Sequence, residues 1–97
     1  MSARRVVVTG IGAASALGLT ADDLWNGLLE GRCGIQKTQA YDPVGFPCEL
    51  AGEAPDYKIR NYVPKAHRKA TKLMSRDIEI SVIAADDAVK KSGLVTK

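Results

Sequence analysis

The residue types best suited to chemistry in this chain of 97 residues are a basic run, a glycine pair, two cysteines and one histidine. The basic run contains no Asp or Glu and holds seven of the 14 basic residues: Lys58, Arg60, Lys65, Arg68, Lys69, Lys72 and Arg76. The rest of the chain carries seven basic residues against 11 acidic ones, so the net charge of +3 arises from this run. Such a local patch indicates an acidic partner that docks at one place.

Three interpretations of the basic run remain open: a solvated helical face, a surface for an acidic protein, or a surface for nucleic-acid phosphates. Arg68 lies four residues before Lys72 and is expected to share a helix face with it. Lys65 and Lys69 form a second pair of the same spacing. Because the run has few aromatic residues and no RNA-binding or helix-turn-helix signature, an acidic protein is favoured over nucleic acid.

The glycine pair Gly10-Ile11-Gly12 follows an aliphatic run, as in turns that bind dinucleotide phosphates. The third glycine of that fingerprint should fall at Ser15, and no helix is expected before Thr20. We therefore predict a structural turn after a strand, with a nucleotide site as the alternative.

The cysteines and the histidine do not form a recognisable site. Cys33 and Cys48 lack CxxC spacing, and with His67 they supply too few soft ligands for a structural zinc site. No general base stands near Cys33 in the sequence, and one histidine cannot supply a two-histidine site. We expect two reduced thiols, no metal, no cofactor and no catalytic residue in this chain.

Two strands and a basic helical turn are predicted from local patterns. Residues 4–9 are aliphatic and β-branched without alternation, which is typical of a strand buried on both faces. Residues 48–54 form the only other segment with strand character. Pro64 is expected to open a helical turn through the basic run.

Two longer helices are predicted from their capping signals. Thr20 begins a near-match to the capping box, so a helix is expected over residues 21–30, followed by Gly31 as a left-handed cap. A second helix is expected over residues 75–92, closed by Gly93.

The second of these helices is supported by charge pairs and is unusually apolar. Asp86 with Lys90, and likewise Asp87 with Lys91, should form i,i+4 ion pairs. Apolar residues cover more of its circumference than a single stripe: Ile78, Ile80, Val82, Ile83, Ala84, Ala85, Ala88 and Val89. We expect more chain or another subunit to cover this helix.

Composition indicates a globular segment with no internal boundary over residues 1–97, and the predicted strands and helices indicate the α/β class. The apolar fraction is 45% and the charged fraction 26%, with no low-complexity tract or internal repeat. No apolar run reaches the length of a signal-peptide core or a membrane span. A cytoplasmic protein without membrane contact is expected.

Three features, in this order and spacing, resemble the opening of the elongating β-ketoacyl-acyl-carrier-protein synthases. They are Arg4-Arg5-Val6-Val7-Val8-Thr9-Gly10-Ile11-Gly12, then Trp25-x-x-Leu28-x-x-Gly31-x-x-Gly34-Ile35, and finally Met74 before a helix that ends in Ser92-Gly93-Leu94. The resemblance implies the N-terminal part of a thiolase-like layered α/β/α fold and a homodimer of the full-length enzyme. It also implies a condensing activity whose nucleophilic cysteine and two histidines lie beyond this segment, so Cys33 does not inherit that role.

The resemblance assigns one functional surface to this segment. In the elongating synthases a basic helical stretch before the methionine helps to bind the acidic, phosphopantetheine-bearing acyl carrier protein. The matching docking residues here are Lys65, Arg68, Lys69 and Lys72. The alternative is a stand-alone basic module that binds nucleic acid or an acidic protein.

Overall fold

The computed structural model describes residues 3–95. This range contains two α-helices, two 3₁₀-helices and one short hairpin, joined by loops. In chain order they are α1 (Ala21–Leu29), β1 (Ile35–Lys37), β2 (Leu50–Gly52), η1 (Ile59–Asn61), η2 (Lys65–Leu73) and α2 (Arg76–Ser92). Helices and a small sheet agree with the predicted α/β class.

The predicted capping of α1 is confirmed. The Thr20 side-chain oxygen accepts a hydrogen bond from the backbone N–H of Asp23 at 3.1 Å, which satisfies one of the free donors at the helix start. After the helix ends at Leu29, Gly31 takes the left-handed conformation with φ of 72°. The capping signals therefore predicted both ends of α1 to within about one residue.

The structure also confirms α2 and both of its predicted ion pairs. Lys90 Nζ lies 2.8 Å from Asp86 Oδ2, and Lys91 Nζ lies 3.5 Å from Asp87 Oδ1. Gly93 closes the helix with φ of 72°, a conformation that a side chain would strain.

Asp87 joins the two α-helices. Its Oδ2 accepts a hydrogen bond from the backbone N–H of Ala21 at 2.9 Å, so a side chain of α2 caps the first turn of α1. Lys91 Nζ lies 3.3 Å from Asp22 Oδ1 as well as near Asp87. The start of α1 is thereby held against the C-terminal half of α2.

The predicted strand over residues 4–9 is wrong for the described part of the chain, where these residues join no β-ladder. Val6, Val7 and Val8 are 94%, 69% and 79% exposed. A strand is defined by hydrogen bonds to a neighbouring strand, and within residues 3–95 no strand lies beside this segment. Aliphatic composition alone therefore did not produce a strand.

The glycine pair after this segment lies directly against α2. A Cβ atom at Gly12 would stand 1.8 Å from the carbonyl oxygen of Ala84, and one at Gly10 would stand 2.2 Å from that of Ala88. No side chain fits at such distances, so only glycine allows the two backbones to approach so closely. The predicted turn after a strand is not found here, because residues 10–12 form neither a turn nor the end of a strand; the pair is instead a close backbone contact with α2.

The hairpin pairs β1 with β2 in antiparallel register, with Ile35 opposite Gly52 and Lys37 opposite Leu50. The predicted strand over residues 48–54 is therefore confirmed at its centre, whereas β1 was not predicted. Beyond the paired residues, Thr38 N–H donates to the Glu49 carbonyl oxygen at 2.9 Å, which extends the contact.

One carboxylate reinforces the hairpin. Glu53 Oε1 accepts a hydrogen bond from Gln39 N–H at 2.8 Å. The nearby Thr38 hydroxyl, and then the hydrogen bond from Gln39 N–H, hold the pKa of Glu53 below its usual value. The ionised form of Glu53 is thus favoured in the folded hairpin.

The described residues enclose very little apolar core. Val63 and Ile83 are the buried hydrophobic residues among them, whereas Ile78 and Val89 on α2 are 47% and 49% exposed. The radius of gyration is 17.0 Å, against about 13 Å for a compact domain of this length. This agrees with the expectation that α2 requires further contacts. None of the helices described in residues 3–95 has the length and apolar character to span a membrane.

Replacing Gly12 with Ala should destabilise the protein, because the new methyl group would overlap the Ala84 carbonyl oxygen. Overpacking of this kind costs about 1–3 kcal/mol. We expect a lower thermal midpoint for the full-length variant than for the wild type.

Gly52→Ala is the matched control, since its Cβ would meet the nearest atom, Ala16 Cβ, at an ordinary 3.5 Å. Equal thermal midpoints for Gly12→Ala, Gly52→Ala and the wild type would contradict the close contact with α2.

Replacing Glu53 with Gln should lower stability at pH 7 and have a smaller effect in acid. The folded-state pKa of Glu53 is depressed, so its contribution is present above the unfolded-state value of 4.5 and is lost as the pH falls through the folded value. The thermal midpoints of wild type and Glu53→Gln should therefore converge between pH 7 and pH values below 4.5. A difference that grows towards acid pH would show that ionised Glu53 does not stabilise the hairpin.

Candidate functional site

Six exposed cations on η1 and η2, or beside them, form the strongest candidate for a functional surface. We call them the basic surface: Lys58, Arg60, Lys65, Arg68, Lys69 and Lys72. The four residues predicted from the sequence, Lys65 to Lys72, all lie on η2 and all face solvent. The structure therefore brings the predicted docking residues together on one element.

The basic surface carries uncompensated charge. Among residues 3–95 no carboxylate oxygen lies within 4.0 Å of any of its six cationic groups. Elsewhere, Arg32 is paired with Glu30 at 3.0 Å and Lys90 with Asp86. Isolated cations such as Lys37 also lack a carboxylate partner among these residues, but the basic surface is the place where six of them cluster. Clustered unpaired charge raises the local potential and attracts anionic groups.

The helix that carries most of this surface is a 3₁₀-helix, which corrects the predicted arrangement of its cations. With about three residues per turn, side chains three positions apart line up. Lys65 therefore shares a row with Arg68, and Lys69 shares a second row with Lys72. The expected i,i+4 faces, which paired Arg68 with Lys72 and Lys65 with Lys69, are wrong because they assume α-helical spacing.

Local hydrogen bonds account for the 3₁₀ geometry at the two ends of η2. The His67 N–H donates to the Pro64 carbonyl oxygen at 2.9 Å, and the Met74 N–H donates to that of Thr71 at 3.2 Å. The Thr71 hydroxyl also donates to the Arg68 carbonyl oxygen at 2.6 Å. The two backbone bonds each span three residues, which is the spacing of a 3₁₀ turn.

Arg76 belongs to the basic run in sequence but not to the basic surface in space. Its Nη2 donates to the Ala54 carbonyl oxygen at 3.2 Å, and its guanidinium carbon lies 5.1 Å from the centre of the Tyr57 ring. The guanidinium is thus engaged within the chain through a hydrogen bond and a cation–π contact. No feature of the sequence separates Arg76 from the other cations of the run.

Tyr57 completes this internal cluster and fixes the chain just before η1. Its hydroxyl donates to Glu79 Oε1 at 3.2 Å. Burial raises the pKa of Tyr57, Arg76 opposes that shift, and Glu79 adds to it. The segment that leads into η1 is thereby anchored on the first turns of α2.

The nucleotide alternative receives no support from the geometry. Gly10 and Gly12 face the backbone of α2, in the space that a pyrophosphate would need. The first N–H of α1, at Ala21, is already bonded to the Asp87 carboxylate. A helix start that holds a carboxylate is a poor place for a second anion.

The cysteines and the histidine remain separate exposed residues. Cys33 and Cys48 are free thiols at the surface, and His67 is exposed on η2. No group of three or more metal-ligating side chains occurs among the residues that the structure describes. None of these three residues has a partner for nucleophilic or acid–base chemistry in this part of the chain.

An open apolar groove lies between residues 8–13 and α1. The apolar side chains that line it are Val8, Ile11, Leu24, Trp25 and Leu28, with Asp22 and Lys91 at its edge. Trp25 and Leu28 are 62% and 60% exposed, so the described chain does not cover the apolar side of α1.

Comparison with known protein families gives a match over residues 3–97 to the model described as "Beta-ketoacyl synthase, N-terminal domain". The chain belongs to the β-ketoacyl synthase family. The family resemblance found in the sequence is therefore confirmed, and it covers nearly the whole chain.

Individual β-ketoacyl synthases are similar to the chain over nearly all of its length. The protein named 3-oxoacyl-[acyl-carrier-protein] synthase 2 from Synechocystis sp. is 37% identical over 92 residues, which cover 95% of this chain and 21% of the relative. The proteins of the same name from Vibrio harveyi and Staphylococcus aureus are 37% and 34% identical, covering 97% and 94% of this chain. The chain spans about a fifth of the length of these relatives.

Proposed function

We propose that this chain is the N-terminal part of a 3-oxoacyl-[acyl-carrier-protein] synthase that elongates acyl chains in fatty-acid or polyketide synthesis. The family match over residues 3–97 carries the proposal, and the names of the relatives give the substrate class. Within the full-length enzyme the chain forms the beginning of the first half of a thiolase-like α/β/α fold, with no domain boundary inside it.

The proposed reaction is a decarboxylative Claisen condensation. An acyl group passes from its carrier thioester to a cysteine thiol, which releases the carrier's thiol. Loss of CO₂ from malonyl-carrier protein leaves a carbanion that attacks the acyl-cysteine thioester, forms the new carbon–carbon bond and frees the cysteine. The cysteine and the two histidines that do this chemistry in the family lie beyond this chain, and no cofactor is needed.

The large uncovered apolar area of this chain supports its place inside a larger fold. Exposure of apolar surface to water is energetically unfavourable. Such surface is found at the valines of residues 6–8, in the groove beside α1 and on the exposed sides of α2. A radius of gyration of 17.0 Å agrees with an open segment rather than a closed domain. We propose that the remainder of a cytoplasmic, homodimeric synthase covers these surfaces.

The contribution of this chain to function is docking of the acyl carrier protein at η2. Lys65, Arg68, Lys69 and Lys72 are exposed and unpaired within residues 3–95. Exposed charges arranged in this way accelerate encounter with a partner of opposite charge and orient it. The carrier protein is acidic in this family, so its charge is complementary.

The full-length protein should convert acyl-carrier protein and malonyl-carrier protein into 3-oxoacyl-carrier protein lengthened by two carbons, with release of one CO₂. Mass spectrometry of the carrier-bound product and release of labelled CO₂ measure the two products. The chain spanning residues 1–97 alone should be inactive, because it lacks the family's nucleophile. Absence of both products from the full-length protein would contradict the proposed activity.

Reversing the charges of Arg68, Lys69 and Lys72 to Glu in the full-length enzyme should weaken carrier binding by several-fold to hundreds-fold. The reason is that like charges replace complementary ones at an exposed interface. The dissociation constant should also depend less steeply on salt, since exposed charges are screened over about 8 Å at physiological ionic strength. Titration of labelled carrier protein at several salt concentrations measures both effects.

Lys37→Glu is the control, because Lys37 is an exposed cation on β1 outside the basic surface. It should leave the dissociation constant nearly unchanged. Unaltered affinity in the triple variant would refute docking at η2. Loss of affinity for random DNA, with carrier binding intact, would instead indicate a nucleic-acid surface.

A further inference from the structure

The structure brings a second cationic element beside η2. η1 packs against η2, and the connection between them contains the buried Val63 and the helix-starting Pro64, whose φ is −56°. η1 itself is closed by hydrogen bonds from Asn61 N–H to the Lys58 carbonyl oxygen at 3.0 Å and from Tyr62 N–H to that of Ile59 at 2.9 Å. The two 3₁₀-helices therefore lie next to one another.

η1 adds two free cations to those of η2. Lys58 precedes its first turn and Arg60 lies within it, and both side chains are exposed. Within residues 3–95 neither has a carboxylate within 4.0 Å. The anchoring of Tyr57 by Glu79 and Arg76 fixes the chain immediately before Lys58.

Arg76 shows that a cation of the basic run can be held by contacts within the chain. Arg76 uses them through Ala54 and Tyr57, whereas Lys58 and Arg60 remain in solvent. Packing two cation-bearing helices side by side without acidic partners raises mutual repulsion in the free protein. An acidic surface that contacts both helices relieves that repulsion.

We propose that Lys58 and Arg60 extend the carrier-docking surface, so that the acidic carrier protein contacts η1 and η2 together. This inference rests on the proposed function, and it adds Lys58 and Arg60, which belong to the basic run but not to the four docking residues that the family resemblance assigned. The charge of the carrier and the contact between η1 and η2 identify the occupant as the carrier protein rather than a small anion, since the cations span two helices.

The test is the double variant Lys58→Glu with Arg60→Glu in the full-length enzyme. Charge reversal at two exposed interface positions should raise the dissociation constant for the carrier protein about three- to thirty-fold and reduce its salt dependence. The neutral pair Lys58→Gln with Arg60→Gln should give a smaller increase, and Lys37→Glu should give none. Thermal midpoints measured in parallel distinguish weakened binding from loss of folding.

The outcome also separates this inference from the docking assigned to η2. Weaker binding in the Arg68, Lys69 and Lys72 variant, with unchanged binding in the Lys58 and Arg60 variant, would overturn the extension and leave the proposed function intact. Unchanged binding in both would overturn docking at the whole basic surface. Weakening by both, with a still larger loss when all five substitutions are combined, supports a single surface across the two helices.

Discussion

The close approach of residues 10–12 to the backbone of α2 is the constraint on which the arrangement of this chain depends. Because a Cβ atom at Gly12 would stand 1.8 Å from a carbonyl oxygen, the two backbones meet with no side chain between them. Asp87 then caps α1 from the same helix, and Arg76 with Glu79 anchors the segment before η1. α2 is thus the common support for the N-terminal segment, for α1 and for the entry to the basic surface.

Most elements that depend on local interactions were predicted from the sequence, whereas pairing that depends on distant residues was not. Thr20 and Gly93 act within one turn of their helices, so α1 and α2 could be predicted from nearby residues. A strand depends on a distant partner, so the aliphatic residues 4–9 could not reveal whether they are paired. β1 was missed because its three residues are all exposed and show no alternation of apolar and polar side chains.

The candidate site shows the same division. The absence of acidic residues from the basic run made its cationic character visible in the sequence, and Lys65 to Lys72 do lie on one exposed helix. The 3₁₀ spacing of this helix is an exception to that division, since the bonds at its ends, such as the one from Met74 N–H to the Thr71 carbonyl oxygen, are local and were not predicted. Nor did the sequence reveal that Arg76 is held by Tyr57, which required the fold to bring the two together.

The bond between Ala21 and Asp87 has a consequence for the order in which the chain acquires structure. Its partners are 66 positions apart in sequence, so closing that loop carries an entropic cost that a helix, with its local contacts, does not carry. During synthesis the ribosome releases the N-terminal segment well before α2. Residues 4–20 therefore cannot take up their folded arrangement until the helix that supports them has emerged.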